Sequence, residues 1–148
     1  MTALDFTLDL VPPEITAQQK GVRLAGGNIH HFTKEAVREW MNAVALASAQ
    51  HRPASPLRGP VKATLTFTFP WREREKTVLT QGGWHPRDTK PDADNLGKAT
   101  IDAIAMTGFF AKGDQQIADL RILKGWGDKP CVRVRLSEWD YQLSPVKP

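Results

Sequence analysis

The sequence predicts an α+β fold, a single mixed β-sheet with helices packed on one face, and three observations carry that prediction. Residues 61–69 alternate strictly, Val61, Ala63, Leu65, Phe67 and Phe69 apolar against Lys62, Thr64, Thr66 and Thr68, the period of a strand buried on one side. Two other segments, 33–52 and 93–107, carry apolar residues at helical spacing. Strand-like and helix-like segments are interleaved, with both hairpin and crossover connections, as in a sheet layered against helices. The uncovered face, with Lys62 and the threonines, is left for solvent, a ligand or a second subunit.

Near the N-terminus Leu4, Phe6, Leu8 and Leu10 alternate with Asp5, Thr7 and Asp9, a half-buried strand ended by Pro12-Pro13. Residues 14–31 hold Gly21, Gly26 and Gly27 without a period and read as a long loop with a short strand near Ile29. Thr33 is placed as the N-cap of a first helix, whose apolar positions Val37, Trp40, Met41, Val44 and Ala45 run to the Arg52-Pro53 break. Trp40 is assigned to the core. The proline-rich stretch 53–60 leads into strand 61–69, and a polar loop then runs to Thr89. A second helix follows to about Thr107, with Gly108 as its stop. Leu96, Ala99, Ala103, Ile104 and Met106 fall on its core side, and Asp94, Lys98 and Asp102 form a separate polar stripe. Two last strands, 117–124 and 131–138, read as a loose hairpin joined by Gly125–Pro130, with Cys131 a small structural residue.

At 148 residues the chain makes one domain, 1–148, with material for a real core. It has no apolar run of membrane-spanning length and no signal-peptide pattern, so a soluble, cytoplasmic protein with no membrane partner is expected. A formal charge of +4 suits a polyanionic partner without requiring one. Lys20, Arg23, Arg72, Arg74, Lys76 and Arg87 lie in segments read as loops, where they can reach nucleic-acid phosphates. They are a candidate group for binding nucleic acid rather than individual assignments. Trp84, beside Gly82-Gly83, either offers a stacking surface to a nucleic-acid partner or packs down its own loop.

Chemistry concentrates in Lys90-Pro91-Asp92-Ala93-Asp94-Asn95-Leu96-Gly97-Lys98. Two aspartates one residue apart repel each other when ionised, and a helix N-terminus relieves only part of that repulsion. A divalent cation relieves the rest. The plainer reading makes either aspartate an N-cap and treats Asp94, Lys98 and Asp102 as a ladder of surface pairs. A third carboxylate, Asp114, just before a strand, tips the balance toward a metal site. Histidines and the lone cysteine show no zinc-type spacing, whereas hard carboxylate oxygens suit Mg2+, or Mn2+ in its place.

Asp92-x-Asp94-Asn95-Leu96-x-Lys98-x-x-x-Asp102-Ala103, followed by Gly108-Phe109-Phe110 and then Asp114-x-Gln116-Ile117, resembles the signature of the RusA family of Holliday junction resolvases. The likeness covers residues 90–138 well, and the first strand and first helix more weakly. It implies a homodimeric, Mg2+-dependent endodeoxyribonuclease of DNA recombination and repair that binds branched DNA and cuts a four-way junction by paired symmetric nicks. It also implies Asp92, Asp94 and Asp114 as catalytic metal ligands, Lys98 as the essential lysine beside them, and supporting roles for Asn95 and Asp102. Two features depart from the pattern. The family has an acidic doublet where this chain has Gly113-Asp114, and the segment 71–89 has no counterpart. The competing readings are a catalytically silent binder of branched DNA, a nuclease for flaps or forks, and an acidic cluster that holds metal for stability alone.

Overall fold

The structure, a computed structural model, describes residues 2–14, 20–25, 28–33, 35–76 and 83–141. Its elements are β1 (Ala3–Leu8), β2 (Lys20–Ala25), β3 (Asn28–Thr33), α1 (Glu35–Ala49), β4 (Val61–Pro70), the one-turn α2 (Glu73–Lys76), β5 (His85–Pro86), α3 (Ala93–Ala105), β6 (Ile117–Gly127) and β7 (Cys131–Glu138). Five strands form one mixed sheet in the order β1-β7-β4-β6-β5. Within it β4 runs antiparallel to β7 and parallel to β6, while β1 and β5 close the edges antiparallel. The expected α+β architecture is the one observed.

Alternation decides which face is covered. Phe6 and Leu8 of β1, the odd-numbered residues 61–69 of β4, and Val132, Val134 and Leu136 of β7 are buried in one core with Trp40 and Val44 of α1 and Leu96, Ala99, Ala103 and Ile104 of α3. Each fully buried Phe or Leu in such a layer contributes roughly 1.5–3 kcal/mol. Trp40 Nε1 donates to Thr100 Oγ1 at 3.2 Å, which ties α1 to α3 and gives the buried indole N–H an acceptor. The other face carries Lys62, Thr64 and Thr66, with Ser137, Arg135 and Arg133 opposite them on β7.

The structure corrects the sequence reading in places. Strands β6 and β7 do not pair with each other; β4 lies between them, and the short link 128–130 passes the end of β4, where Trp71 Nε1 donates to Asp128 Oδ1 at 2.6 Å. Strand β6 also runs on through Gly125 and Gly127, because close packing there excludes side chains. A Cβ on Gly125 would stand 2.3 Å from the Trp84 ring, and one on Gly127 would stand 2.5 Å from Thr68 Cγ2. Residues read as a long loop form the antiparallel pair β2–β3, a separate two-stranded sheet with no place in the main sheet to impose alternation. Thr33 is the last residue of β3, paired with Lys20, rather than a helix cap. Met106 follows the last turn of α3 and is exposed.

One contact sets the depth of α3 on the sheet. A Cβ on Gly97 would stand 2.2 Å from Ile122 Cδ1 and 3.0 Å from its Cγ1, so a side chain there must push Ile122 aside or lift the helix from β6. Gly97→Ala should therefore destabilise the protein by about 1–3 kcal/mol through overpacking, despite alanine's better helix propensity, as read by urea unfolding. An unchanged or raised midpoint would contradict this packing. Glu138, at the end of β7, accepts the Arg58 backbone N–H on Oε1 at 2.9 Å, and that bond holds its carboxyl below the ordinary value of 4.5. The resulting stabilisation is present above pH 4.5 and is lost as pH falls through the folded-state value. Glu138→Gln should therefore flatten the acid limb of the pH–stability curve, and a variant whose acid limb matches the wild type would show that this carboxylate does not contribute.

Candidate active site

Asp92 stands at the N-cap position of α3, with φ −68° and ψ 136°, and its carbonyl accepts the Leu96 N–H at 3.1 Å. Its carboxylate does not cap the helix. Instead both oxygens take Lys90 Nζ at 2.9 Å, in a pair whose side chains are 83% and 47% exposed. Such an exposed pair is weak and opens readily to a stronger partner. Further along α3, Lys98 Nζ stands 3.4 Å from Asp102 Oδ2.

Asp114 arrives from a separate segment. Gly108, at φ +86°, turns the chain out of α3, and Phe109 and Phe110 plunge into the core. Buried Gln116 then fixes the backbone around Asp114. Its Nε2 donates to Leu57 O and Gly59 O at 2.8 and 2.9 Å, and its Oε1 accepts the Lys112 N–H at 2.5 Å. Gly113 has φ +90°, a conformation that an aspartate would adopt only with strain. Glycine at the first position of the expected acidic doublet thus goes with the shape of this turn.

Asp94, Lys98, Asp102 and Asp114 line one groove of about 250 Å³ between α3 and β6, together with Ile101, Ile117, Leu120 and Ile122. Asp92 and Asn95 are not among its walls; Asn95 is buried in the first turn of the helix. The α3 acids are strung along the groove, since eight helical residues from Asp94 to Asp102 span about 12 Å. Among the described residues no three His, Cys, Asp or Glu side chains gather closely enough to enclose a metal ion. The donors are nevertheless hard oxygens, and Mg2+ commonly takes only one or two carboxylates, completing its shell with water and substrate phosphate. The residues fit a divalent ion in that partial mode. Size alone does not mark the site: a larger cavity of about 400 Å³ on the opposite sheet face has Asp5 as its one acid, with Lys62 and Arg135.

Arg87, grouped above with the DNA-binding candidates, lies inside the protein with a side chain 4% exposed. Its Nε donates to Thr89 Oγ1 at 3.0 Å, its terminal nitrogens donate to Glu14 at 3.0 and 2.7 Å and to Lys90 O, and it stacks 4.3 Å over Phe69 and Trp126. It is a structural cation rather than a phosphate contact. Arg72 also stacks on Trp126, at 4.2 Å, and pairs with Glu75. Lys20 and Arg23 fall on β2 and Arg74 and Lys76 on α2, with their side chains outside the described atoms. Trp84 packs its ring on Gly125, the anchoring alternative for that residue.

Lys124 went unnoticed in the sequence. It sits in β6 level with Phe67, and its Nζ donates to Thr89 O and Pro91 O at 2.5 and 2.6 Å. Burial, followed by the nearby charge of Arg87, lowers its pKa below the usual 10.5. The available signal was a lysine on the side of β6 that faces the helices.

A family model described as Endodeoxyribonuclease RusA matches residues 11–137. The chain is 28% identical over 120 residues to YqaN, an uncharacterized protein of Bacillus subtilis (strain 168), a match covering 78% of this chain and 83% of that protein. It is 22% identical over 134 residues to the crossover junction endodeoxyribonuclease rusA of Lactococcus phage r1t, covering 90% and 95%. The matched family span takes in the whole groove, acids and apolar walls alike, and the chain belongs to the RusA family of endodeoxyribonucleases, hydrolases that act on DNA.

Proposed function

We propose that the protein resolves four-way DNA junctions by paired symmetric nicks in recombination and repair, with Mg2+ or Mn2+ held by Asp92, Asp94 and Asp114. The observation that carries this reading is the groove in which Asp94, Lys98, Asp102 and Asp114 meet from two separate segments. Asp92 stands at its head and joins when its exposed pair with Lys90 opens. Hydrolysis of a phosphodiester needs an activated water, charge stabilisation in the transition state and help for the departing oxygen. A bound divalent ion supplies positive charge and a more acidic water. Lys98 neutralises the scissile phosphate or orients the attacking water. Asp102, 3.4 Å from Lys98 Nζ, and Asn95 act in support. The isoleucines and Leu120 of the groove lower the local dielectric and so strengthen each charge interaction beside them.

Junction binding is assigned to phosphate contacts by Lys20, Arg23, Arg72, Arg74 and Lys76 as a group. Two nicks on a roughly two-fold substrate call for two related active sites, hence a homodimer. Among the described residues no helix is long and apolar enough to cross a membrane. The test is a panel of synthetic junctions, flaps and forks with Mg2+. Symmetric nicks in the four-way junction are expected first, and Asp94→Asn or Asp114→Asn should lower cutting by on the order of 100-fold or more at unchanged junction affinity. Preference for flaps or forks would make it a different branched-DNA nuclease, and binding without cutting would make it a silent binder.

A further inference from the structure

We infer that Lys124, with Arg87 beside it, is a positioning residue that fixes the Thr89–Pro91 turn and thereby sets where Asp92 stands at the head of the groove. The inference rests on the function proposed above. Three successive carbonyls accept hydrogen bonds from these two cations: Thr89 O and Pro91 O from Lys124 Nζ, at 2.5 and 2.6 Å, and Lys90 O from Arg87. The two cation-bearing segments are themselves joined, because the Arg87 N–H donates to Lys124 O at 3.1 Å. Pro91 is buried, and Asp92 follows it directly, so holding these carbonyls fixes the peptide from which the Asp92 side chain departs.

The position of Lys124 makes this arrangement costly for folding alone. It lies level with Phe67, on the face of the sheet that packs against the helices, where an apolar residue would avoid the desolvation of an ammonium group. An ammonium offers three donors on a flexible stem. Two of these reach carbonyls on either side of a third that Arg87 holds, a pattern that immobilises a short irregular segment. Carboxylates that share a cation must be held to within about 0.5 Å of the binding geometry, and the Asp92 carboxylate makes no capping hydrogen bond to the helix that would do this.

The test compares wild type, Lys124→Met and Lys124→Arg by Mn2+ titration calorimetry and by hydrogen exchange of the backbone amides of residues 90–94, with nicking of a four-way junction as a function of Mn2+ alongside. Lys124→Met is expected to bind Mn2+ about tenfold or more weakly, to need correspondingly more Mn2+ for half-maximal nicking, and to exchange faster at 90–94, with junction affinity in Ca2+ unchanged. Lys124→Arg should recover part of each effect. Wild-type Mn2+ affinity and nicking midpoint in Lys124→Met would overturn the positioning role, even if its thermal stability changed. Should Lys124→Met fail to fold, Lys124→Gln, which keeps one donor, takes its place with the same outcomes. Wild-type protein that binds no Mn2+ at all would instead defeat the proposed function itself.

Discussion

A helix lies closest to a strand where a side chain is absent, and this fold makes that approach at Gly97, over Ile122. The seat brings the acidic stripe of α3 down beside β6. Leu120 and Ile122 consequently become walls of a groove, and the turn before β6 delivers Asp114 to the same groove as Asp94, Lys98 and Asp102. Any side chain at 97 must lift the helix or displace Ile122. The groove is therefore a product of packing as much as of the acids that line it.

Behind that groove the charges have the opposite sign. Arg87 and Lys124 are drawn inward by Glu14, by the carbonyls of residues 89–91 and by the faces of Phe69 and Trp126. Cation–π stacking of a desolvated guanidinium contributes on the order of 2 kcal/mol, enough to hold Arg87 in place once its carboxylate partner is added. The front of the site presents acids on a helix, and the back anchors the entry to that helix with a buried arginine and a half-buried lysine. Rigid backing with an open, acid-lined front suits a site that takes much of its ligand shell from water and substrate.

Much of this was legible in the sequence because it is local. Helix α3, its stop at Gly108 and the stripe of Asp94, Lys98 and Asp102 follow from period and spacing, and strand β4 follows from alternation. What was hidden depends on partners brought from far along the chain. Arg87 looked like a loop cation because Glu14, Phe69 and Trp126 are remote from it in sequence. Gln116 was legible as part of the signature but not in its role, which depends on its bonds to Leu57, Gly59 and Lys112 that hold the Asp114 turn. The insertion of β4 between β6 and β7 was equally hidden, since a three-residue link reads the same whether its strands pair or straddle a neighbour. Strand β2 was hidden and β3 legible only as a short strand near Ile29, because the two belong to a separate two-stranded sheet.

The central claim is that the acids at α3 and before β6 hold the divalent ion that cuts DNA. A crystal soaked in Mn2+ and measured at the manganese absorption edge addresses it most directly. An anomalous peak in contact with the carboxylates of Asp92, Asp94 or Asp114 is the predicted result. Manganese bound elsewhere on the protein, with no peak at these three, would contradict it.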